Sequence, residues 1–202
     1  MKRRAEDDED MDGLFDMFGG PKTFKVSCVK GDNDKTLYSI FIYSEIKNAD
    51  QFAPAIEALL GADEEDTVVV HLSTPGGSVD ATDTFVHALT CCRARVLFIA
   101  SGGVHSAGTL ILMHAPEVTF SSGFNALVHN GVVGYAGKTS DFDAATTFMK
   151  KQMHKLLKST YEGFLTAKEI EALIHGKDFW MDADEFKQRL LKRNKYFKKK
   201  KV

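Results

Sequence analysis

Val96 to Ala115 reads VLFIASGGVHSAGTLILMHA, and the fold turns on how this stretch divides. Val96 to Ala100 is a continuous apolar run of the kind a buried strand carries. Ser101, Gly102 and Gly103 follow as a small, smooth segment, and glycine tolerates turn dihedrals and close backbone approach. Ser106 comes next, flanked by Ala107 and Gly108, and Leu110 to Met113 continue as a buried helix. The stretch reads as strand, tight turn, serine, helix. A serine in the first turn of a helix sits beside free backbone N–H groups and the positive end of the helix dipole. That is a good place to stabilise an oxyanion. The same residues also describe an ordinary glycine-rich turn with a serine cap, and the rest of the chain has to decide between the two.

Outward from this stretch, strands and helices alternate. Val68 to Leu72 is nearly all apolar and reads as a buried parallel strand. STPGGS, Ser73 to Ser78, is the turn after it, and Val79 to Leu89 has a helical period through Val79, Phe85, Val86 and Leu89. Further upstream, Lys22 to Val29 alternates as a first strand, Gly31 to Asp34 is a turn, and Leu37 to Tyr43 is a second strand. Ala49 to Leu60 reads as a helix with Phe52, Ile56, Leu59 and Leu60 on its apolar side. Downstream, Val118 to Phe120 and Ala126 to His129 are short strands. Asn130 to Lys138 holds three glycines and reads as a flexible loop. Asp141 to about Tyr161 is a long helix. Thr166 to Ile174 is a shorter one, opened by a Thr166/Glu169 capping box, and Asp182 caps another that runs to Leu191. This order predicts an α/β core with right-handed crossovers.

The 202 residues, 44% hydrophobic and 27% charged, suit one folded unit with tails. We expect an acidic segment over 1–20, a folded domain over 21–191 and a basic, solvated tail over 192–202. The net charge of −2 conceals an asymmetry: residues 1–20 hold seven acids and three bases, and residues 192–201 hold seven bases and no acid. Leu14, Phe15, Met17 and Phe18 form a short apolar patch that suits either docking or a loosely packed terminus. Cys28, Cys91 and Cys92 fit no disulfide framework, which predicts reduced thiols and a cytoplasmic setting. No window approaches a membrane span, and the start of the chain has no apolar signal core. Gly76-Gly77 lacks the lysine and spacing of a phosphate loop, Gly102-Gly103 is no dinucleotide fingerprint, and no metal pattern is present. No cofactor and no metal are expected. Only the lysine-rich end could address nucleic acid, and it is more simply read as a tail for an acidic surface.

Three loops at the carboxyl ends of core strands carry Gly76-Gly77, Ser106 and His129, and sites of α/β folds gather at such ends. Gly76 and Gly77 let a backbone N–H face a ligand, and Ala107 offers a second N–H beside the serine. Two such donors make an oxyanion hole. His129 is placed to take the Ser106 proton, the general-base activation of a serine nucleophile. His129 could equally be a structural histidine in a chain with seven of them. His105 adjoins Ser106 but points elsewhere on a helix and could line the site. His71, inside a strand, reads as structural.

Taken together, Ser73 to Ser78, then Gly102-Gly103-Val104-His105-Ser106-Ala107-Gly108, then Asn125-Ala126-Leu127-Val128-His129 resemble the Clp protease proteolytic subunit, with the flavour of phage-encoded forms, some of which act in head maturation. The resemblance covers roughly Tyr38 to Phe186. It implies repeated strand–helix units in the Clp/crotonase style, with the long helix from Asp141 as a handle by which rings stack. It assigns Ser106 as nucleophile, His129 as base, and the N–H groups of Gly77 and Ala107 as the oxyanion hole. It implies a polypeptide substrate lying extended along Gly131 to Lys138, a homo-oligomeric ring of the heptamer or double-heptamer type, and no membrane partner. An ATPase partner cannot be carried over, because the N-terminus is acidic and lysines replace the usual apolar C-terminal strand. The family's third triad member, an aspartate shortly before a segment like Asp178 to Ala183, falls on Ile174 when aligned without a gap. Asp178, four residues on, is the substitute if the loop is reshaped, ahead of Glu171, Asp141 and Asp143; a Ser–His dyad and an acid supplied by a neighbouring subunit are the alternatives. The competing readings are an inactive Clp-like ring subunit and a crotonase-like acyl-CoA enzyme.

Overall fold

In a computed structural model, which describes residues 23–31, 33–134 and 136–200, a seven-stranded sheet carries the chain. The strands are β1 (Lys25–Lys30), β2 (Thr36–Ile42), β3 (Thr67–Thr74), β4 (Arg95–His105), β5 (Glu117–Phe120), β6 (Asn125–Val128) and β7 (Phe179–Asp182). Their spatial order is β1-β2-β3-β4-β6-β7, with β5 beside β4. The pairs β2/β3, β3/β4, β4/β5 and β4/β6 are parallel, and only β1 and β7 join antiparallel. The helices are α1 (Ala53–Gly61), α2 (Val79–Cys91), α3 (Ala107–Leu112), α4 (Phe142–Tyr161), α5 (Ala167–Ile174) and α6 (Ala183–Lys200). This is the α/β architecture with a long helix that the resemblance implied.

Alternation builds the core. Val68, Val70, Leu72 and Thr74 of β3 are buried, while Val69 and His71 between them are half-buried. The fully buried strand expected there is therefore two-sided: its inner face meets the helices and its outer face is only partly covered. On the outer face His71 stacks on Phe41, ring centroids 4.6 Å apart, and burial pushes its pKa down. On the inner face Phe52 links Phe24 and Phe85 at 4.8 Å each. The helix expected over Ala49 to Leu60 begins as a 3₁₀ turn, Ala49–Phe52, closed by an Asn48/Gln51 capping box. The α-helix proper starts one residue before Pro54, which can occupy a first turn because it needs no N–H there.

Three further expectations change in the folded chain. Gly102 and Gly103 do not form a turn; they lie inside β4, which runs on to His105. Leu72 pairs with Ala100 but Thr74 pairs with Val104, so β4 absorbs two extra residues there. Gly102 takes φ 59° to do so. This lets one long strand pair with β5 through Leu97 to Ala100 and with β6 through Gly103 to His105. Phe179 to Asp182 forms a strand that the pattern did not announce. The last helix does not stop at Leu191 and runs to Lys200. It is held where the Tyr196 hydroxyl donates to Glu162 at 2.7 Å and Lys200 Nζ pairs with Glu162 at 3.0 Å. Gly163, at φ 76°, admits the Tyr196 ring, which a Cβ there would meet at 2.8 Å. Lys192 to Lys200 are thus helical rather than a loose tail.

The handle helix α4 stands largely clear of the body. Only Leu157, Thr160 and Tyr161, all in its last turns, are buried, and Phe142 and Phe148 are exposed. Its base sits by an aromatic cluster of Phe120, Phe124, Phe164 and Phe186 that joins β5 to α6. Among the described residues no helix is long and apolar enough to cross a membrane.

Candidate active site

Ser106 occupies the joint between β4 and α3 and has φ 53°, ψ −123°. Such a conformation costs a non-glycine residue on the order of 1–3 kcal/mol and persists only where its surroundings over-determine it. They do so from three sides. The Ser106 N–H donates to the Leu127 carbonyl of β6 at 2.8 Å. Its carbonyl accepts from the Thr109 N–H at 2.9 Å and from the Thr109 hydroxyl at 2.7 Å. Thr109 Oγ1 in turn lies 2.6 Å from the hydroxyl of Tyr161, so with its own proton committed to Ser106 it accepts from the tyrosine. Tyr161 is fully buried, and burial raises its pKa far above the ordinary phenol value, keeping it a neutral donor. Neither Thr109 nor Tyr161 was singled out in the sequence. The available signal was a threonine three residues past the serine, one turn into the helix.

The third side is the Gly76-Gly77 loop. A Cβ on Gly76 would meet the His105 carbonyl at 2.5 Å, Ser106 Cβ at 2.7 Å and the Ala107 nitrogen at 2.9 Å, and Gly76 has φ 91°. Only glycine lets the loop lie this close to the serine. Thr74 fixes the loop: its hydroxyl donates to the Ser44 carbonyl at 2.7 Å and accepts from the Gly76 N–H at 3.1 Å. Gly77 is bridged in parallel to Ile46, and the bridge is carried by the Gly76 carbonyl and the Ser78 N–H, 2.8 and 2.7 Å from Ile46 backbone atoms. The Gly77 N–H is not consumed by that bridge. The Ala107 N–H, first in α3, has no preceding helical carbonyl to use it. Two backbone donors thus flank Ser106 without intrachain partners among the described residues.

One cleft of about 830 Å³ brings together Gly77, Ser106 and His129. Its far wall is Gly131 to Gly134 and the α4 side chains Phe148, Met149, Gln152, Met153 and Leu156. Gly131 lies against the end of the Met153 side chain, where a Cβ would stand 2.7 Å from Cε and displace it. Asp80 and Asp83 of α2 also line the cleft, which the sequence reading did not foresee. His105 does not line it: its Nε2 pairs with Asn125 Oδ1 at 2.8 Å, and its ring meets Trp180 edge-on at 5.3 Å.

The positions of Ile174 and Asp178 separate in the fold. Ile174 ends α5, and its carbonyl accepts from Asn130 Nδ2 at 3.0 Å. Val128 of β6 pairs with Phe179 of β7 in antiparallel register, so the next positions outward on the two chains are His129 and Asp178. Both lie just past the end of the ladder. Asp178 is exposed, and among the described residues neither the His129 nor the Asp178 side chain makes a hydrogen bond. Asp141 and Asp143 lie at the opposite end of α4 from its buried turns, and Glu171 lies on the exposed side of α5. No group of three or more His, Cys, Asp or Glu among the described residues is placed to hold a metal ion.

Comparison with known proteins agrees with this architecture. The chain is 30% identical over 153 residues to the ATP-dependent Clp protease proteolytic subunit 3 of Rhizobium etli, covering 74% of this chain and 78% of that one. It is 27% identical over 155 residues to the protein of the same description in Rhizobium johnstonii, with coverage of 74% and 78%. Against the ATP-dependent Clp protease proteolytic subunit 2 of Pseudomonas aeruginosa it is 26% identical over 129 residues, covering 63% and 64%. A family model described as Clp protease matches residues 35–189, and with that span the chain belongs to the Clp protease family.

Proposed function

We propose that this chain is a serine endopeptidase that hydrolyses polypeptides through an acyl-enzyme on Ser106. The observation that carries the reading is the meeting, in one cleft, of a serine held at positive φ, Gly77 with its free N–H, and His129, with the free Ala107 N–H next in the chain to the serine. In the proposed cycle His129 takes the Ser106 hydroxyl proton as Oγ attacks the scissile carbonyl carbon. The N–H groups of Gly77 and Ala107 receive the resulting oxyanion. The tetrahedral intermediate collapses, the C–N bond breaks, and His129 returns its proton to the leaving amine. Water then repeats the sequence, releasing the acid and regenerating Ser106. Asp178 orients the imidazole from the neighbouring register position. The substrate lies extended along Gly131 to Gly134, against the apolar side chains of α4. The working form is a homo-oligomeric ring.

Fluorophosphonate labelling of the full chain, read by intact mass, tests this. We expect one adduct on wild type, none on Ser106→Ala, and a strongly reduced yield on His129→Ala. Labelling that persists in Ser106→Ala sinks the proposal. A folded, assembled wild type that neither labels nor cleaves peptides would favour the second reading, an inactive ring subunit, whose support is the isoleucine at the position where the ungapped alignment expects an acid.

A further inference from the structure

Helix α2 brings two carboxylates to the Ser106 cleft that the catalytic reading leaves unused. Ala81, Thr82, Phe85, Ala88 and Leu89 are buried, which fixes the rotation of the helix and leaves Asp80 and Asp83 exposed on its other side. Both line the cleft that holds Gly77, Ser106 and His129. Asp80 lies in the first turn, where a carboxylate meets the positive end of the helix dipole, and that alone would account for it. Asp83 lies further along, past the turn in which that effect acts, and gains little from it. Among the described residues neither side chain has a hydrogen-bond or ion-pair partner, and no lysine or arginine lines the cleft.

The other wall of the cleft is mostly apolar, with Phe148, Met149, Met153 and Leu156 of α4. A carboxylate pair facing an apolar wall matches a side chain with an aliphatic stem and a cationic head. Lysine and arginine lay their stems along apolar surface and hold the charge at the far end. A glutamate or aspartate in the same place would meet two like charges. We infer that Asp80 and Asp83 make the cleft select peptides that carry lysine or arginine beside the bond presented to Ser106. The inference deepens the peptidase reading and rests on it for the place of the scissile bond. Attraction between exposed charges is modest, so the two acids set a preference among peptides rather than an absolute requirement.

End-blocked peptides of one sequence, with lysine, norleucine or glutamate at a single central position, test this on the full chain. Binding is read by fluorescence anisotropy on Ser106→Ala, so it needs no turnover. The lysine peptide should bind about tenfold more tightly than the norleucine peptide, the scale of two exposed charge pairs, and the glutamate peptide should bind most weakly. Zero-length carbodiimide coupling should join the lysine amine to Asp80 or Asp83. Adding Asp80→Asn and Asp83→Asn, at exposed positions that leave the core untouched, should bring the lysine peptide down to the norleucine affinity and leave the norleucine peptide unchanged. On wild type the lysine peptide should slow fluorophosphonate labelling of Ser106 at about one-tenth the concentration that the norleucine peptide needs. Equal affinities, no binding of any of the three, a lysine preference that survives the loss of both acids, or coupling only to other carboxylates would overturn the inference. Normal labelling of Ser106 in that case would leave the peptidase reading standing. A lysine peptide that couples to Asp80 or Asp83 while Ser106 resists labelling would sink the peptidase reading and keep the cleft as a site that selects basic peptides.

Discussion

The two walls of the Ser106 cleft are built differently. On the serine wall the backbone of Ser106 is committed at both ends: its N–H to Leu127, its carbonyl to Thr109 and, through Thr109, to Tyr161, and Gly76 lies within contact distance of it. On the histidine wall, the His129 and Asp178 side chains make no hydrogen bond among the described residues, and Val132 just beyond is 95% exposed. The serine wall stores strain, and a strained joint needs rigid neighbours. On the proposed reading the histidine wall admits a peptide beside the base, and the Gly131–Gly134 stretch, outside the sheet, leaves room for it. In the proposed reading the serine is preset by the chain's own core, whereas His129 and Asp178 would tighten only when substrate arrives.

The sharpest way to break this contrast is on the histidine wall. Asp178→Asn should lower kcat by about 10³–10⁴-fold with KM little changed, by analogy with loss of a triad acid. Because Asp178 is exposed, the thermal midpoint should not move. An unchanged kcat would remove Asp178 from the site. On the serine wall the effect should appear in stability as well. Gly76→Ala puts a Cβ into the His105 carbonyl and Ser106 at φ 91°, and should cost about 3 kcal/mol or more. For a chain of this length that lowers the midpoint by roughly 6–12 °C. A variant that melts like wild type would show that the loop is free to retreat.

An ion pair links the helices that precede and follow β7 in the chain. Arg189 of α6 donates to both Glu169 oxygens, at 3.2 and 2.9 Å, and these contacts, first among its causes, pull the Glu169 pKa down from 4.5 to about 2. A depressed carboxylate stabilises the fold fully above its unfolded value. That contribution is lost as pH falls from about 4.5 through about 2. With both groups partly in solvent, Glu169→Gln should cost about 1–2 kcal/mol at pH 7 and should flatten the acid limb of a stability–pH curve in that window. An unchanged acid limb would show that this pair contributes nothing net. The smallest effect expected is Tyr161→Phe, which removes one buried hydroxyl and should cost about 1 kcal/mol. A kcat loss larger than that shift in stability would show that the Tyr161–Thr109 relay positions Ser106 and does more than fill the core.

The sequence by itself determined the alternation of strands and helices, the serine at a strand–helix joint, the glycine loop that had to approach it and the histidine at a strand end. Each is a local pattern: an apolar run, a glycine pair, a cap such as Thr166/Glu169, which closes as read. What the tertiary structure alone decided was non-local. The two extra residues of β4 follow from its pairing with β3, and four residues such as Phe179 to Asp182 are too few to reveal a strand before β6 pairs with them. The helix outlasts Leu191 because Tyr196 finds Gly163 and Glu162 far away in the chain. Counting along the chain put Ile174 at the acid's place, whereas the β6/β7 register ends at Val128 and Phe179, one residue short of His129 and of Asp178. Propensity acts over a few neighbours, but register is fixed by hydrogen bonds between segments some fifty residues apart, so the position opposite the histidine had to be read from the fold.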